Sequence, residues 1–334
     1  MGKERHFYVT GYVGEGASRM LMDLQDMESV ELIEKLIDNR AMRFLYFRLK
    51  RAAGRLAFWP LLKNLFYPWF SILRVPFHND MENCILFFNS GFLMELDMKV
   101  LKKLKKKNNG LKFILYIVDP EVQFCVSKYK EIIGCMDLVY AINKEDCGRF
   151  GYRYYPLVFS KTDEDTGMGA VTQKGEETDI YYLGSGGDRT EVLKEIYNKC
   201  HGEGVKTDFY VHNNGTRQES DGIVFQDVPV PYWENIRRIT RTNCILELMH
   251  REFDNPTQRY SEAVAYNKKI LTNNKKITAF DFYDPRYMQV FQSPEEIDMA
   301  FIKNREEVNY GYQGEFSPKL LVREISQALD GKNG

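Results

Sequence analysis

The stretch DNPTQRYSEAVAYNKKILTNN, residues 254–274, has the pattern of a loop, a short helix and a buried strand. Asn255 is a suitable N-cap, Pro256 suits the first helical position, and Gln258 stands where it completes a capping box. The pattern predicts a helix over residues 255–266. A helix and a buried strand in direct succession indicate one repeat of an α/β fold.

Both ends of this predicted helix carry further signals. Asn267 is placed to end the helix in a left-handed turn, and a strand follows over residues 269–273. At the start, free backbone N–H groups and a partial positive charge face the preceding loop. Thr257, Arg259 and Glu262 lie there, with the last two on one helix face. A cation for a phosphate and a carboxylate for a sugar hydroxyl are what a nucleotide-sugar site requires, and an ordinary capped helix is the alternative.

Length and composition limit the classes of protein to which this chain can belong. The 334 residues suit two domains, and a hydrophobic fraction of 44% supplies two buried cores. The net charge of -1 disfavours a dedicated nucleic-acid binder. Six scattered cysteines without a CxxC pair indicate free thiols in a reducing compartment. No apolar run reaches about 18 residues and the N-terminus lacks an apolar signal region, so we expect a cytoplasmic protein.

Short apolar strands alternate with helices along both halves of the chain, which predicts α/β architecture with two parallel sheets. We expect an N-terminal Rossmann-like domain over residues 1–160, a C-terminal one over 161–314, and a final helix in 315–334 that packs back on the body. The polar segment 160–179 is the predicted linker. Two such sheets would present their strand ends to a cleft, where open α/β sheets bind ligands. The predicted elements are strands at 6–10, 84–89, 112–119, 137–142, 179–183, 207–211 and 244–249, and helices at 19–38, 92–107, 121–133, 190–200 and 233–239.

The segment GSGGDR, residues 184–189, follows a predicted strand directly. Gly184 and Gly186 let the backbone approach a ligand, and Arg189 lies at a helix N-terminus with Asp188 as its predicted cap. This combination suits a diphosphate. The segment lacks the features of a P-loop and of the full dinucleotide fingerprint, and a flexible turn is the alternative.

The segment GYVGEGAS, residues 11–18, is the N-terminal counterpart. Its glycines are spaced G-x-x-G-x-G, and residues 19–38 read as helix rather than as a second strand with an acidic end. We therefore do not expect NAD, and Gly14 is a candidate contact of the sugar or phosphate. Asp119, at the end of an apolar strand, is a candidate general base or a helix cap. Asp163 and Asp165 lie in the linker, so no metal site is expected.

Residues 40–76 interleave aromatic side chains with Arg and Lys and contain no acidic residue. This mixture fits docking on an anionic membrane surface. The alternative is that the aromatic rings are core and the cations form a solvated rim.

The sequence resembles nucleotide-sugar glycosyltransferases of the GT-B class, in particular those of bacterial capsule, exopolysaccharide and lipopolysaccharide biosynthesis. The segments that carry the resemblance are YYLGSGGDR, CILEL and QRYSEAVAYNKKILTNN, together with DLVYAINKEDCGRFGYRYYPLVF in the first half. It covers roughly residues 84–300 and is not specific for the sugar.

The resemblance implies roles for individual residues. Glu262 would hold the nucleotide ribose, while Arg189 and Arg259 would hold the diphosphate. Many retaining members carry two glutamates eight residues apart, whereas here Asp254 stands eight before Glu262, so retention or inversion stays open. An inverting reaction would use Asp119 as base.

We therefore expect a metal-independent glycosyltransferase without a cofactor, which transfers a sugar from a nucleotide-sugar donor, UDP-linked in our interpretation, to a saccharide or lipid-linked acceptor. The protein would lie in the cytoplasm or peripherally on the inner face of the plasma membrane. The alternatives are an NAD-dependent nucleotide-sugar-modifying enzyme and a non-catalytic scaffold that binds a membrane or partner through residues 40–76.

Overall fold

The computed structural model of the chain describes residues 3–11, 19–88, 96–118, 130–161, 176–212, 222–249 and 255–331. The strands are β1 (Arg5–Thr10), β2 (Val30–Ile33), β3 (Glu82–Phe88), β4 (Lys112–Ile117), β5 (Leu138–Ala141), β6 (Arg153–Tyr154), β7 (Thr178–Ser185), β8 (Thr207–His212), β9 (Ile223–Gln226), β10 (Thr242–Glu247), β11 (Lys269–Thr272) and β12 (Met288–Val290). The helices are α1 (Arg40–Ala53), α2 (Trp59–Asn64), α3 (Met98–Lys107), α4 (Lys144–Phe150), α5 (Thr190–Gly202), α6 (Tyr232–Arg241), α7 (Gln258–Ala265), α8 (Met299–Lys303) and α9 (Pro318–Leu329).

The first compact unit contains residues 1–156 and 318–334. Its six strands pair in the order β2-β1-β3-β4-β5-β6, and every pair is parallel. Helix α9 belongs to this unit, since the Arg5 guanidinium donates to Ser326 O at 3.0 Å and to the Asp330 carboxylate at 2.7 Å. The strand order reverses between β1 and β3.

The second compact unit contains residues 157–317. Its six strands pair in the order β12-β11-β10-β7-β8-β9, again all parallel. Apolar side chains from α5, α6 and α7 bury both faces of this sheet. Strands β7 and β10 are adjacent although two strands separate them along the chain, so the order reverses between them.

The predicted α/β class with two parallel-sheet units is confirmed. Asn267 adopts the predicted left-handed conformation, with a φ of 52°. The prediction of a helix over residues 19–38 is wrong. The chain there forms a short 3-10 turn at Met22–Asp26 and then strand β2, whose Val30 pairs with Phe7 of β1. Pairing with the sheet overrides the local helix preference.

Two capping predictions are also wrong. Helix α7 begins at Gln258, and its N-cap is Thr257 rather than Asn255. Helix α5 is preceded by a 3-10 turn at Gly187–Arg189, and its N-cap residue is Arg189 rather than Asp188. In each case the observed N-cap lies one or two residues after the predicted one.

The aromatic and basic segment 40–76 divides between core and surface. Tyr46, Trp59, Phe66 and Phe70 are buried together in the core of the first unit. Phe44 is instead 67% exposed. The core alternative therefore holds for part of the segment, and membrane docking stays a prediction. Among the described helices, none combines the length and the apolar character needed to cross a membrane.

Candidate functional site

A pocket of about 140 Å³ lies in the second unit, where the carboxyl ends of β7 and β10 meet the N-terminus of α7. It contains four of the predicted site residues: Gly184, Arg189, Thr257 and Arg259. The other lining residues are Tyr182, Leu183, Leu246, Glu247, Leu248 and Gln258. Because the strand order reverses between β7 and β10, the pocket lies at the place where open parallel sheets bind ligands.

The wall formed by β7 depends on a glycine. A Cβ atom on Gly184 would lie 2.5 Å from the hydroxyl oxygen of Tyr182. Tyr182 is itself buried at 2% exposure and therefore has little room to move. Gly187 follows with a φ of 80°, which favours glycine and turns the chain toward Arg189. The glycines of GSGGDR thus bring the backbone and Arg189 to the pocket.

Arg189 is held with one guanidinium nitrogen turned to the backbone. Its Nη1 donates to Leu248 O at 3.2 Å, which ties the end of β7 to the end of β10. Its Nε is buried and has no hydrogen-bond partner among the described residues. A buried donor without a partner is costly, and an anion in the pocket is a suitable acceptor.

The opposite wall is the start of α7. Thr257 Oγ1 accepts a hydrogen bond from the backbone N–H of Arg259 at 3.1 Å, which is the N-cap contact. The same hydroxyl donates to the carboxylate of Glu247 at the end of β10. Thr272 at the end of β11 donates to the other carboxylate oxygen at 2.5 Å. These bonds fix the helix N-terminus to two strand ends.

Glu247 is fully buried under these contacts. Burial raises the pKa of its carboxyl group, and the hydroxyl bonds and the charge of Arg259 oppose that increase. Burial also raises the pKa of Tyr182, where the charges of Arg189 and Arg259 act in the opposite direction. Both guanidinium groups therefore lie close enough to Tyr182, which lines the pocket, to act on its hydroxyl group.

Arg259 is oriented by a buried polar network. Its Nη1 donates to the Glu262 carboxylate and, at 2.9 Å, to Asn235 Oδ1. Asn235 Nδ2 donates to Glu262 at 2.9 Å, and the Tyr181 hydroxyl donates to Asn235 at 3.0 Å. The Glu262 side chain is 0% exposed, whereas 18% of the Arg259 side chain is accessible. In this conformation the arginine reaches the pocket and the glutamate lies behind it.

Two further predicted site residues, Gly186 and Glu262, are described and do not line the pocket. Gly186 lies in the turn beside it, where its N–H donates to His212 O at 3.2 Å. Gly14 and Asp119 lie outside the described residues. The ribose role of Glu262 stays a prediction, since a ribose would reach this carboxylate only after a change in the Arg259 pair.

Sequence reasoning missed Glu247, Asn235 and Tyr181 as parts of this site. Glu247 stands within the quoted segment CILEL, and a carboxylate at the end of a buried strand was the available signal. Asn235 and Tyr181 gave no signal, because their partners lie far away in the sequence. Within the part of the chain that the structure describes, no group of three or more His, Cys, Asp or Glu side chains is arranged to hold a metal ion.

Comparison with known proteins gives weak likenesses. No family model matches the chain, and no curated protein matches it. A solved UDP-GlcNAc 2-epimerase from Neisseria meningitidis bound to UDP-GlcNAc is similar at 8% identity and a TM-score of 0.46, over 98% of this chain and 100% of that one.

Two further solved structures are similar at the same level. The pneumococcal O-GlcNAc transferase GtfA in complex with UDP and GlcNAc matches at 9% identity and a TM-score of 0.43, over 75% of this chain and 56% of that one. Arabidopsis thaliana UGT89C1 complexed with UDP-L-rhamnose matches at 8% identity and a TM-score of 0.41, over 99% of this chain and 95% of that one. At these values the fold class rests on the strand order described above, and function rests on the pocket.

Proposed function

We propose that this chain is a glycosyltransferase that transfers a sugar from a UDP-linked donor. The observation that carries the proposal is the pocket at the order reversal between β7 and β10, where two arginines and a helix N-terminus converge. Ordinary ligand pockets measure about 300–1,000 Å³, so a pocket of 140 Å³ suits part of a ligand, such as its diphosphate.

The proposed chemistry follows from the charges in the pocket. The bond between the anomeric carbon and the donor diphosphate breaks through an oxocarbenium-like state, and negative charge develops on the departing diphosphate. Arg189, Arg259 and the first N–H groups of α7 would stabilise that charge. They are fixed before reaction by the contacts of Leu248, Glu262 and Thr257, so little reorganisation is needed. In this proposal the two cations replace a metal ion.

Glu262 acts in this scheme through Arg259. Its buried carboxylate holds one side of the guanidinium and leaves the other side to the pocket. A positioning residue of this kind affects the affinity for every ligand that contacts Arg259. If Glu262 bound the ribose directly, its replacement would instead lower the affinity for nucleosides and leave the affinity for pyrophosphate unchanged.

The acceptor and the biological role are the finer part of the proposal. The resemblance to enzymes of bacterial cell-surface polysaccharide synthesis supports a saccharide or a lipid-linked acceptor, held by the first unit. Asp119 is the proposed base if the reaction inverts. In the sequence it stands two residues after Ile117, the last residue of β4.

A second candidate, an NAD-dependent enzyme that modifies a nucleotide sugar, is favoured by one observation. Strand β2 follows the segment GYVGEGAS and is followed in turn by the exposed Glu34. A second strand with an acidic end is part of a dinucleotide fingerprint. The sequence pattern predicts a helix in place of this strand, which argues against NAD, and strand β2 removes that argument. The G-x-x-G-x-G spacing still departs from the fingerprint.

Release of UDP from a panel of UDP-sugars, measured with and without simple saccharide acceptors, tests the proposal. We expect slow hydrolysis or transfer by the wild type and a loss of at least tenfold in Arg189→Ala, as for one lost charge-assisted contact. Arg286→Ala is the matched control, because Arg286 lies in the same unit, is 68% exposed and does not line the pocket. No turnover, together with NADH binding seen by fluorescence, would favour the second candidate.

A further inference from the structure

Helix α1 presents an arginine–phenylalanine face to solvent. This face consists of Arg40, Arg43, Phe44, Phe47, Arg48 and Arg51. Spacings of three and four residues place these side chains on one side of an α-helix. Together they line an open depression of about 590 Å³. The face belongs to the first unit, whereas the pocket described above belongs to the second unit.

The other side of α1 anchors the helix to the core. The Tyr46 ring is fully buried and contacts the rings of Trp59, Phe66 and Phe70 at centroid distances of 5.6, 5.2 and 5.8 Å. The helix is therefore amphipathic with an aromatic inner side that is already packed. On the outer side, the Phe47 ring meets the edge of Tyr46 at a centroid distance of 5.3 Å and is still 46% exposed.

Those outer phenylalanines are unusually accessible. Phe44 is 67% exposed and Phe47 is 46% exposed. Leu61 on the next helix, α2, is 68% exposed, and Leu65 directly after that helix is 69% exposed. Single apolar side chains at a surface are common, but two phenylalanines within one charged rim indicate a surface that binds something.

The charges around them have one sign. The chain contains no acidic residue between Asp38 and Asp80. Within the described part of the chain, Arg40, Arg48 and Arg51 make no hydrogen bond or ion pair, and Arg43 donates to the backbone oxygens of Ile37 and Asp38. Some arginines elsewhere pair with carboxylates, as Arg238 does with Asp208. No carboxylate among the described residues pairs with the four arginines of the face, which is therefore a positive surface.

We infer that the arginine–phenylalanine face docks on an anionic phospholipid bilayer. A bilayer surface offers phosphate groups at the depth of the guanidinium groups and, just below, an apolar layer for Phe44 and Phe47. A helix with arginines and exposed aromatic rings on one face lies in the plane of such an interface. Arginine binds lipid phosphates with paired N–H donors, which favours it over lysine here. The inference does not depend on the proposed sugar transfer.

Flotation of the full chain with vesicles tests this inference. Vesicles of phosphatidylcholine mixed with phosphatidylglycerol are compared with vesicles of phosphatidylcholine alone, at low and at high salt. We expect salt-sensitive binding to the anionic vesicles and little binding to the neutral ones. Arg48→Gln/Arg51→Gln and Phe44→Ser/Phe47→Ser should each weaken binding at least tenfold, with circular dichroism spectra like those of the wild type.

Matched controls separate this face from general charge and general hydrophobicity. Lys102→Gln/Lys106→Gln removes the same charge from exposed positions of α3, and Val228→Ser removes an apolar side chain that is 74% exposed. Both should bind as the wild type does. Equal binding to both vesicle types, no binding by the folded wild type, or equal losses in the controls would overturn the inference. So would a wild-type dimer that Phe44→Ser/Phe47→Ser converts to a monomer without any vesicle binding, because the face would then hold a second copy.

Discussion

Arg259 and Glu262 form a buried ion pair at the first turn of α7, and Asn235 completes it from α6. The glutamate is inaccessible while the arginine keeps an accessible edge at the pocket. A buried ion pair contributes little net stability compared with apolar residues, but removing one partner leaves a charge without compensation. The main effect of the pair is therefore to fix the direction of the Arg259 guanidinium group.

Replacing Glu262 should consequently destabilise the fold. We expect Glu262→Ala to lower the free energy of unfolding by about 3–5 kcal/mol, since Arg259 and Asn235 lose their acceptor in a buried site. Denaturant unfolding measures this change. The control is Glu191→Ala, which removes another glutamate paired three residues away, but with a side chain that is 79% exposed. The control should change stability by less than about 1 kcal/mol, and equal effects would show that the burial of Glu262 does not matter.

A second prediction for a single residue concerns Glu247 and the dependence of folding stability on pH. Burial raises the pKa of its carboxyl group in the folded protein above the value in the unfolded chain. The folded state therefore binds the proton more tightly, and this group's contribution to stability falls as pH rises from the unfolded pKa through the folded one. Glu247→Gln should remove that decline. Unfolding midpoints measured across this range in both proteins test it, and parallel curves would contradict it.

At the scale of elements, the turn from β7 into α5 depends on Gly184 because of its contact with Tyr182. Gly184→Ala should destabilise the protein by about 1–3 kcal/mol, as overpacking in a rigid site does. Gly202→Ala is the control, since no atom lies within 4 Å of an added Cβ there and the position is helical. It should be neutral or stabilising by up to about 1 kcal/mol. A tolerated Gly184→Ala would show that Tyr182 can move.

The elements also show what local sequence can predict. The left-handed conformation at the end of α7 can be predicted from Asn267, because it depends on one residue and its immediate neighbours. The start of α7 is not readable in the same way, since Asn255 and Thr257 are both good caps. Thr257 also donates to Glu247 on a neighbouring strand, a contact that local sequence does not contain. Strand β2 was missed for a similar reason, because its partner is β1.

At the scale of the whole molecule, the strand order explains where the pocket lies. The alternation of strands and helices predicts two parallel sheets, but it does not give the order of strands in them. That order brings β7 beside β10 and so places Arg189 beside Leu248, which lies 59 residues away. The predicted donor-binding residues Gly184, Arg189, Thr257 and Arg259 then line one pocket. The same reversal occurs in the first sheet between β1 and β3. In the sequence, Gly14 stands between β1 and β2, outside the described residues.

The central claim is that this pocket binds the diphosphate of a nucleotide through Arg259. Calorimetric titration of UDP and of pyrophosphate into the wild type, Arg259→Ala and the control Arg286→Ala tests it most directly. We predict that the wild type binds UDP and pyrophosphate, and that the control binds each of them with the affinity of the wild type. In Arg259→Ala the affinity for both should fall by about 1.5–3 kcal/mol, which is tenfold or more. A folded wild type that binds neither ligand, or an Arg259→Ala variant that binds both as the wild type does, would contradict the account.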